Sequence, residues 1–212
     1  MSRNKYPEKT EQLILDVATK LFLEKGYEKT SLNDIIINLG GLTKGAIYQH
    51  FKSKEEILNA VMYRLTASSD DDLLQLQKME GLTGRDKLKL LFVNSLEAAF
   101  NPEKVTIKVD YTKNPIIFYN MIFELINEVA PMLVAPIIEE GVKDGSIKTA
   151  YPKQLAEVLL LIINIWLNTN TLQMDTGELR AKCEFMCELL KPYNLDFTDE
   201  ALIKQIENLI EK

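Results

Sequence analysis

The sequence predicts an all-α fold. Apolar residues recur at the helical period from end to end, glycines and prolines fall where helices start and stop, and alternating apolar–polar runs are almost absent. The chain has 212 residues, of which 46% are hydrophobic, enough for a small domain plus a larger one with a substantial core.

The elements follow in order. From Glu8 to Lys25, apolar residues fall at Ile14, Val17, Ala18, Leu21 and Phe22, the stripe of an amphipathic helix. Gly26 then suits a left-handed C-terminal cap. Ser31-Leu32-Asn33-Asp34 has the shape of a capping box, and it opens a helix carrying Leu32, Ile35, Ile36 and Leu39. Gly40-Gly41 breaks that helix. Thr43 can cap a short third helix, Lys44 to Phe51, with Ile47 and Phe51 one turn apart. Ser53-Lys54-Glu55-Glu56 is a second capping box, opening a helix with Ile57, Leu58, Val61, Met62 and Leu65.

Longer helices are expected over Arg85 to Phe100, Pro115 to Val129, Pro131 to Lys143, Pro152 to Gln173, Glu178 to Leu190 and Asp199 to Glu211, with prolines at or near several starts. Only Lys104 to Tyr111 alternates, as a short strand or extended connection. The expected division is a helix-turn-helix domain over 1–52 and a larger helical domain over 53–212.

Net charge is −6, which taken alone argues against a nucleic-acid partner. The average hides an asymmetry: residues 1–64 hold 10 Lys/Arg against 8 Asp/Glu, and the remainder holds 15 against 23. Thr43 to Lys54 carries three lysines and one histidine with no acid, and phosphate contact needs only local positive charge. The apolar run Val158 to Leu167 is shorter than the roughly 20 residues a bilayer needs, and the N-terminus lacks an apolar signal core. A cytoplasmic protein with no membrane partner is the expectation. Two cysteines make no disulfide framework.

The informative stretch is Leu42 to Glu56. A recognition helix places small or polar residues in the major groove while an apolar face holds it to its scaffold. Thr43, Lys44 and Gly45 supply the groove end; Ile47 and Phe51 face the scaffold; Tyr48, Gln49 and His50 are left for DNA. Lys52 and Lys54 flank the helix where phosphates would lie.

In these residues the chain strongly resembles the tetracycline-repressor (TetR) family of bacterial regulators. The resemblance is carried by Ile14, Ala18, Leu21-Phe22, Gly26-Tyr27, Thr30-Ser31-Leu32 and Ile35, and is completed by Lys44-Gly45-Ala46-Ile47-Tyr48-Gln49-His50-Phe51-Lys52-Ser53-Lys54-Glu55. It covers about residues 10–60 specifically. It implies that Thr30 and Ser31 contact backbone phosphate, that Thr43, Lys44 and Gly45 enter the groove, and that Tyr48, His50 and Lys54 contact phosphate. Gln49 holds a variable position, and its amide can pair with adenine. The turn Gly40-Gly41-Leu42 departs from the family's commonest spacing by one extra residue.

The resemblance further implies an operator-binding homodimer, paired through helices at about 152–173 and 178–190, and repression of a palindromic operator released by a small-molecule inducer. The run Leu155 to Leu167 is apolar on nearly every face, as a helix with one side in the core and another on a partner would be. Aromatic and thioether residues Phe118, Tyr119, Met121, Phe123 and Trp166 are the candidate lining of a pocket for a small apolar or aromatic effector. Cys183 and Cys187 lie one turn apart and read as small buried hydrophobes more readily than as redox sensors or metal ligands. No cofactor is called for. An enzyme is disfavoured: there is no Gly-rich phosphate loop, no metal-ligand spacing, and the single histidine sits in the DNA-reading helix. The alternative reading is a helical protein-binding adaptor, or an activator without an inducer.

Overall fold

The computed structural model describes residues 7–41, 43–100, 110–168, 172 and 175–195. Every regular element among them is helical. The chain forms two compact units, one reaching Ser68 and taking in the segment that ends at Tyr119, the other made of the remainder.

The first unit holds α1 (Pro7–Lys25), α2 (Leu32–Asn38), α3 (Lys44–His50), the first half of α4 (Lys54–Lys78) and the start of α6 (Pro115–Glu124). Its core is the predicted stripe: Ile14, Ala18 and Phe22 from α1, Ile35 from α2, Ile47 from α3, and Ile57 and Val61 from α4 are essentially sealed from solvent. Gly26 adopts φ +90°, the left-handed cap expected after Lys25. Ser31 caps α2 in a full capping box with Asp34, and Thr43 caps α3 by accepting from the Ala46 N–H. Ser53 accepts from the Glu56 N–H, while the Glu56 carboxylate reaches back to the Lys52 N–H. The first unit continues past residue 52 to Ser68, and Ile57, Leu58 and Val61 near the start of α4 are buried.

The second unit holds α5 (Gly84–Phe100), α7 (Ala135–Asp144), α8 (Pro152–Leu161) and α9 (Thr176–Leu190), with π-helical segments at Leu125–Val134 and Ile162–Trp166. Two separate helices were expected around Pro131; instead one helical run extends from Pro115 to Asp144. Proline cannot donate within a helix, and its ring crowds the carbonyl four residues back. The widened π turn absorbs this, with the Ala135 N–H donating to the Ala130 carbonyl five residues back. Helix 152–173 also ends early: the Leu167 N–H closes on the Ile162 carbonyl and the helix stops at Trp166. The last predicted helix, Asp199 to Glu211, lies outside the described residues, as do Leu42 and most of the alternating stretch, including Val105, Ile107 and Val109.

By length and composition, the run Pro115–Asp144 would suit a membrane span. In the fold its inward positions, Leu125, Val129, Ala130, Val134, Ile137 and Ile138, are core residues of the second unit. α5 and α7 cross at two glycines: a Cβ built on Gly84 would lie 2.3 Å from the Gly141 nitrogen. At that crossing Lys87 is 2% exposed, with Nζ 2.7 and 2.9 Å from the Glu140 carboxylate oxygens and 3.0 Å from the Gln77 carbonyl.

Candidate nucleic-acid interface

The reading head presents α3 with its apolar side inward. Ile47 and Phe51 are buried, and Thr43, Lys44, Gly45, Tyr48 and Gln49 are exposed together on the opposite side. The Lys44 ammonium lies 5.8 Å from the Tyr48 ring centroid. Gly45 has only the Thr43 hydroxyl near its side-chain direction, so the backbone is open to close approach. A short helix with exposed cationic, amide and phenol groups and a bare first turn can lie in a major groove and reach both base edges and phosphates.

Four predicted contacts are placed differently from the rest. Thr30 is fully buried, and its hydroxyl donates to the Gly26 carbonyl at 2.8 Å, so it holds the α1–α2 turn. Ser31 is exposed, but its hydroxyl and N–H are both engaged with Asp34, whose carboxyl is held below its usual range chiefly by those Ser31 hydrogen bonds. The His50 side chain is only 10% exposed and faces Glu11 of α1, Nδ1 to Oε2 at 3.8 Å. The Lys54 ammonium folds back to the Tyr27 carbonyl at 2.9 Å and lies over the Tyr27 ring. The sequence pointed to neither Glu11 nor Asn114 and gave Tyr27 no partner; the Asn114-Pro115 pair, a recognised turn signal, could have drawn attention to Asn114.

The family model described as "Bacterial regulatory proteins, tetR family" matches residues 14–61, the span of this head. A second, "Tetracyclin repressor-like, C-terminal domain", matches residues 98–188. The chain is 30% identical over 149 residues to the HTH-type transcriptional repressor KstR2 of Rhodococcus jostii, covering 68% of this chain and 70% of that protein. It belongs to the TetR family.

Other likenesses agree. The HTH-type transcriptional regulator YhgD of Bacillus subtilis is 29% identical over 158 residues, covering 70% of this chain and 78% of that protein. A TetR-family regulator structure from Mesorhizobium loti superposes with a TM-score of 0.61 at 19% identity, covering 90% of this chain and 99% of the other, a likeness of fold. As a TetR-family member the chain is a DNA-binding transcriptional regulator with an all-α regulatory domain, and not an enzyme. The match over residues 98–188 takes in the whole apolar run Pro115–Asp144.

Of the five candidate pocket residues, Phe118 and Tyr119 belong to the first unit and Met121, Phe123 and Trp166 to the second. Phe118 packs on Tyr111 in the first unit, with ring centroids 5.3 Å apart, and Tyr119 and Phe123 point to solvent. Met121 and Trp166 are half-buried against the second unit's core. Aromatic density along a helix spreads around its circumference, so neighbouring positions need not share a wall. A small apolar cleft of about 10 Å³ is walled by Leu88, Leu91 and Phe92 of α5, by Leu159 and Ile163, and by Met186 and Leu190 of α9. Cys183 and Cys187 are both buried in that core, and burial pushes the Cys183 thiol up to about 12, far from the thiolate needed for reactivity. Among the described residues no group of three or more His, Cys, Asp or Glu side chains is placed to hold a metal.

Proposed function

We propose that this TetR-family regulator is a cytoplasmic, homodimeric repressor that reads a palindromic operator and is released from it by a small apolar effector. The observation that carries the reading is the exposed face of α3, where Thr43, Lys44, Gly45, Tyr48 and Gln49 stand clear on a helix anchored by Ile47 and Phe51. Lys44 and Gln49 read bases; Tyr48 contacts phosphate, joined by Ser31, His50 and Lys54 once their present partners yield. Two such helices enter successive major grooves about 34–36 Å apart.

Pairing is supported by apolar side chains left exposed on α8 and α9, namely Val158, Phe185 and Leu189. Leu161 to Trp166 are likewise only half-buried within one chain. A second copy laid across these helices covers them. The cleft at Leu88, Phe92, Ile163 and Met186 is apolar but only about 10 Å³, so an apolar effector has to open it on binding. It acts by favouring the conformation whose two heads do not match the operator.

Selection of bound sequences from random duplex DNA, at two salt concentrations and with the molecular mass measured in parallel, tests the reading. Enrichment of a two-fold symmetric motif by a dimer, weakening steeply as salt rises, is expected. A monomer, or no enriched motif at low salt, would overturn it.

A further inference from the structure

The backbone at Tyr27 is held from two directions. Its N–H donates to Oδ1 of Asn114 at 2.9 Å, across 87 residues of sequence. Its carbonyl accepts from the Lys54 ammonium at 2.9 Å and from the Thr30 N–H at 3.1 Å. Lys54 is the first residue of α4, and Asn114 directly precedes Pro115, the first residue of α6. Asn114 is 0% exposed, and its carboxamide is used at both ends, with Nδ2 donating to the Asp110 carbonyl at 3.3 Å. Its own carbonyl accepts from the Ile117 and Phe118 N–H groups, so the same residue opens α6.

Packing at this joint is as tight as the hydrogen bonding. A Cβ built on Gly26 would lie 2.8 Å from the Lys113 carbonyl oxygen, so only glycine lets the two turns meet. From Gly26 the position is passed on: its carbonyl takes the buried Thr30 hydroxyl, and Ser31, the next residue, caps α2. The starting point of the helix-turn-helix is therefore referenced to the turn before α6.

We propose that Asn114 is a positioning residue for DNA recognition, which through Tyr27 sets how α2 and α3 are presented to the operator. The proposal rests on the DNA-binding reading above. Displacement of the turn that opens α6 reaches Tyr27 as a stretched or broken hydrogen bond at a part-buried N–H, where loss of the partner carries a cost.

The test compares the full-length protein with Asn114→Ala on two probes, the operator recovered by selection and random duplex DNA, at one low salt concentration. The expected result is an operator affinity reduced about tenfold or more, with random-duplex affinity held within about twofold. Amide exchange at Tyr27 should accelerate while Ile14 and Phe22 stay protected. Two results overturn the proposal: operator affinity unchanged with the Tyr27 amide exposed, or both affinities falling together with faster exchange at Ile14 and Phe22, which marks a head that is merely destabilised. Gly26→Ala, which pushes Lys113 away from the other side of the joint, should reproduce the operator-selective loss. The double variant should be no weaker than the weaker single variant by more than about twofold, and fully additive losses would contradict a shared joint. If the unaltered protein enriches no sequence, the DNA-binding reading fails first and takes this proposal with it.

Discussion

Lys54 and Tyr27 form a closed pair in which the ammonium donates to the Tyr27 carbonyl at 2.9 Å and sits 4.0 Å from the centroid of the same residue's ring. The TetR resemblance assigns this lysine to phosphate, yet in the free protein it joins the start of α4 to the α1–α2 turn. Lys54→Met keeps the aliphatic packing and removes the charged donor. A stability loss of about 1–2 kcal/mol is expected in denaturant titration without DNA. A lysine that waited in solvent for phosphate would leave stability unchanged and lower only the salt slope of DNA binding.

Thr30 makes a parallel case. Its buried hydroxyl donates to the Gly26 carbonyl at 2.8 Å, so Thr30→Val strands that acceptor without changing side-chain shape. The expected cost is about 1–2 kcal/mol of stability, with the salt dependence of DNA binding untouched. A reduced salt slope at full stability would restore Thr30 to the list of phosphate contacts.

On α3 itself the roles separate by probe. Tyr48→Ala should weaken operator and random DNA by similar factors, because a phosphate contact carries no sequence information. Gln49→Ala should instead change which bases are enriched in selection, at a cost of about 1–3 kcal/mol for the preferred operator. An unchanged motif from Gln49→Ala would move base reading to Lys44.

Much of the head was legible in the sequence because its signals are local. Ser31 with Asp34, Thr43 with Ala46, and Gly26 after Lys25 all act within a turn of chain, and each forms as its spacing implies. The joint at Asn114 was not legible, since 87 residues separate it from Tyr27 and no periodicity links them. Distance in sequence likewise hid the Gly84–Gly141 crossing, which joins glycines on two different helices. Pro131 misled for a different reason: local rules allow it to start a helix, but tertiary packing of Val129, Ala130 and Val134 keeps the run continuous and a π turn absorbs the ring. Composition along α6 carries no information about which way each ring points, so the sequence could not say which of the pocket candidates face inward.

Asp110 gives the α6 turn a pH dependence. Its carboxylate accepts from the Thr112 hydroxyl and N–H and pairs with Lys113 at 3.0 Å, which lowers its pKa from 3.8 to about 2. A carboxyl depressed by folding contributes stability above its unfolded value, and that contribution fades as pH falls through the folded one. The difference in unfolding free energy between the natural protein and Asp110→Asn should hold steady above about pH 5 and shrink as pH approaches about 2. A difference that stays constant across that range would mean the carboxylate is not held by the turn in solution.

The Lys87–Glu140 pair should be asymmetric under mutation. Lys87 is nearly sealed while the Glu140 side chain is 42% exposed, so the two partners have very different access to water. Glu140→Ala leaves a buried ammonium with the Gln77 carbonyl as the hydrogen-bond partner that remains from this cluster, at 3.0 Å, and should cost about 3 kcal/mol. Lys87→Met replaces the ammonium with an apolar group of similar length and releases Glu140 to solvent, so stability should stay within about 1 kcal/mol of the original. Combining Lys87→Met with Glu140→Ala should then recover most of the Glu140→Ala loss, because no buried charge is left without a counterion. If Glu140→Ala alone costs no more than an exposed pair, water reaches Lys87 through the α5–α7 crossing and the charge was never truly buried.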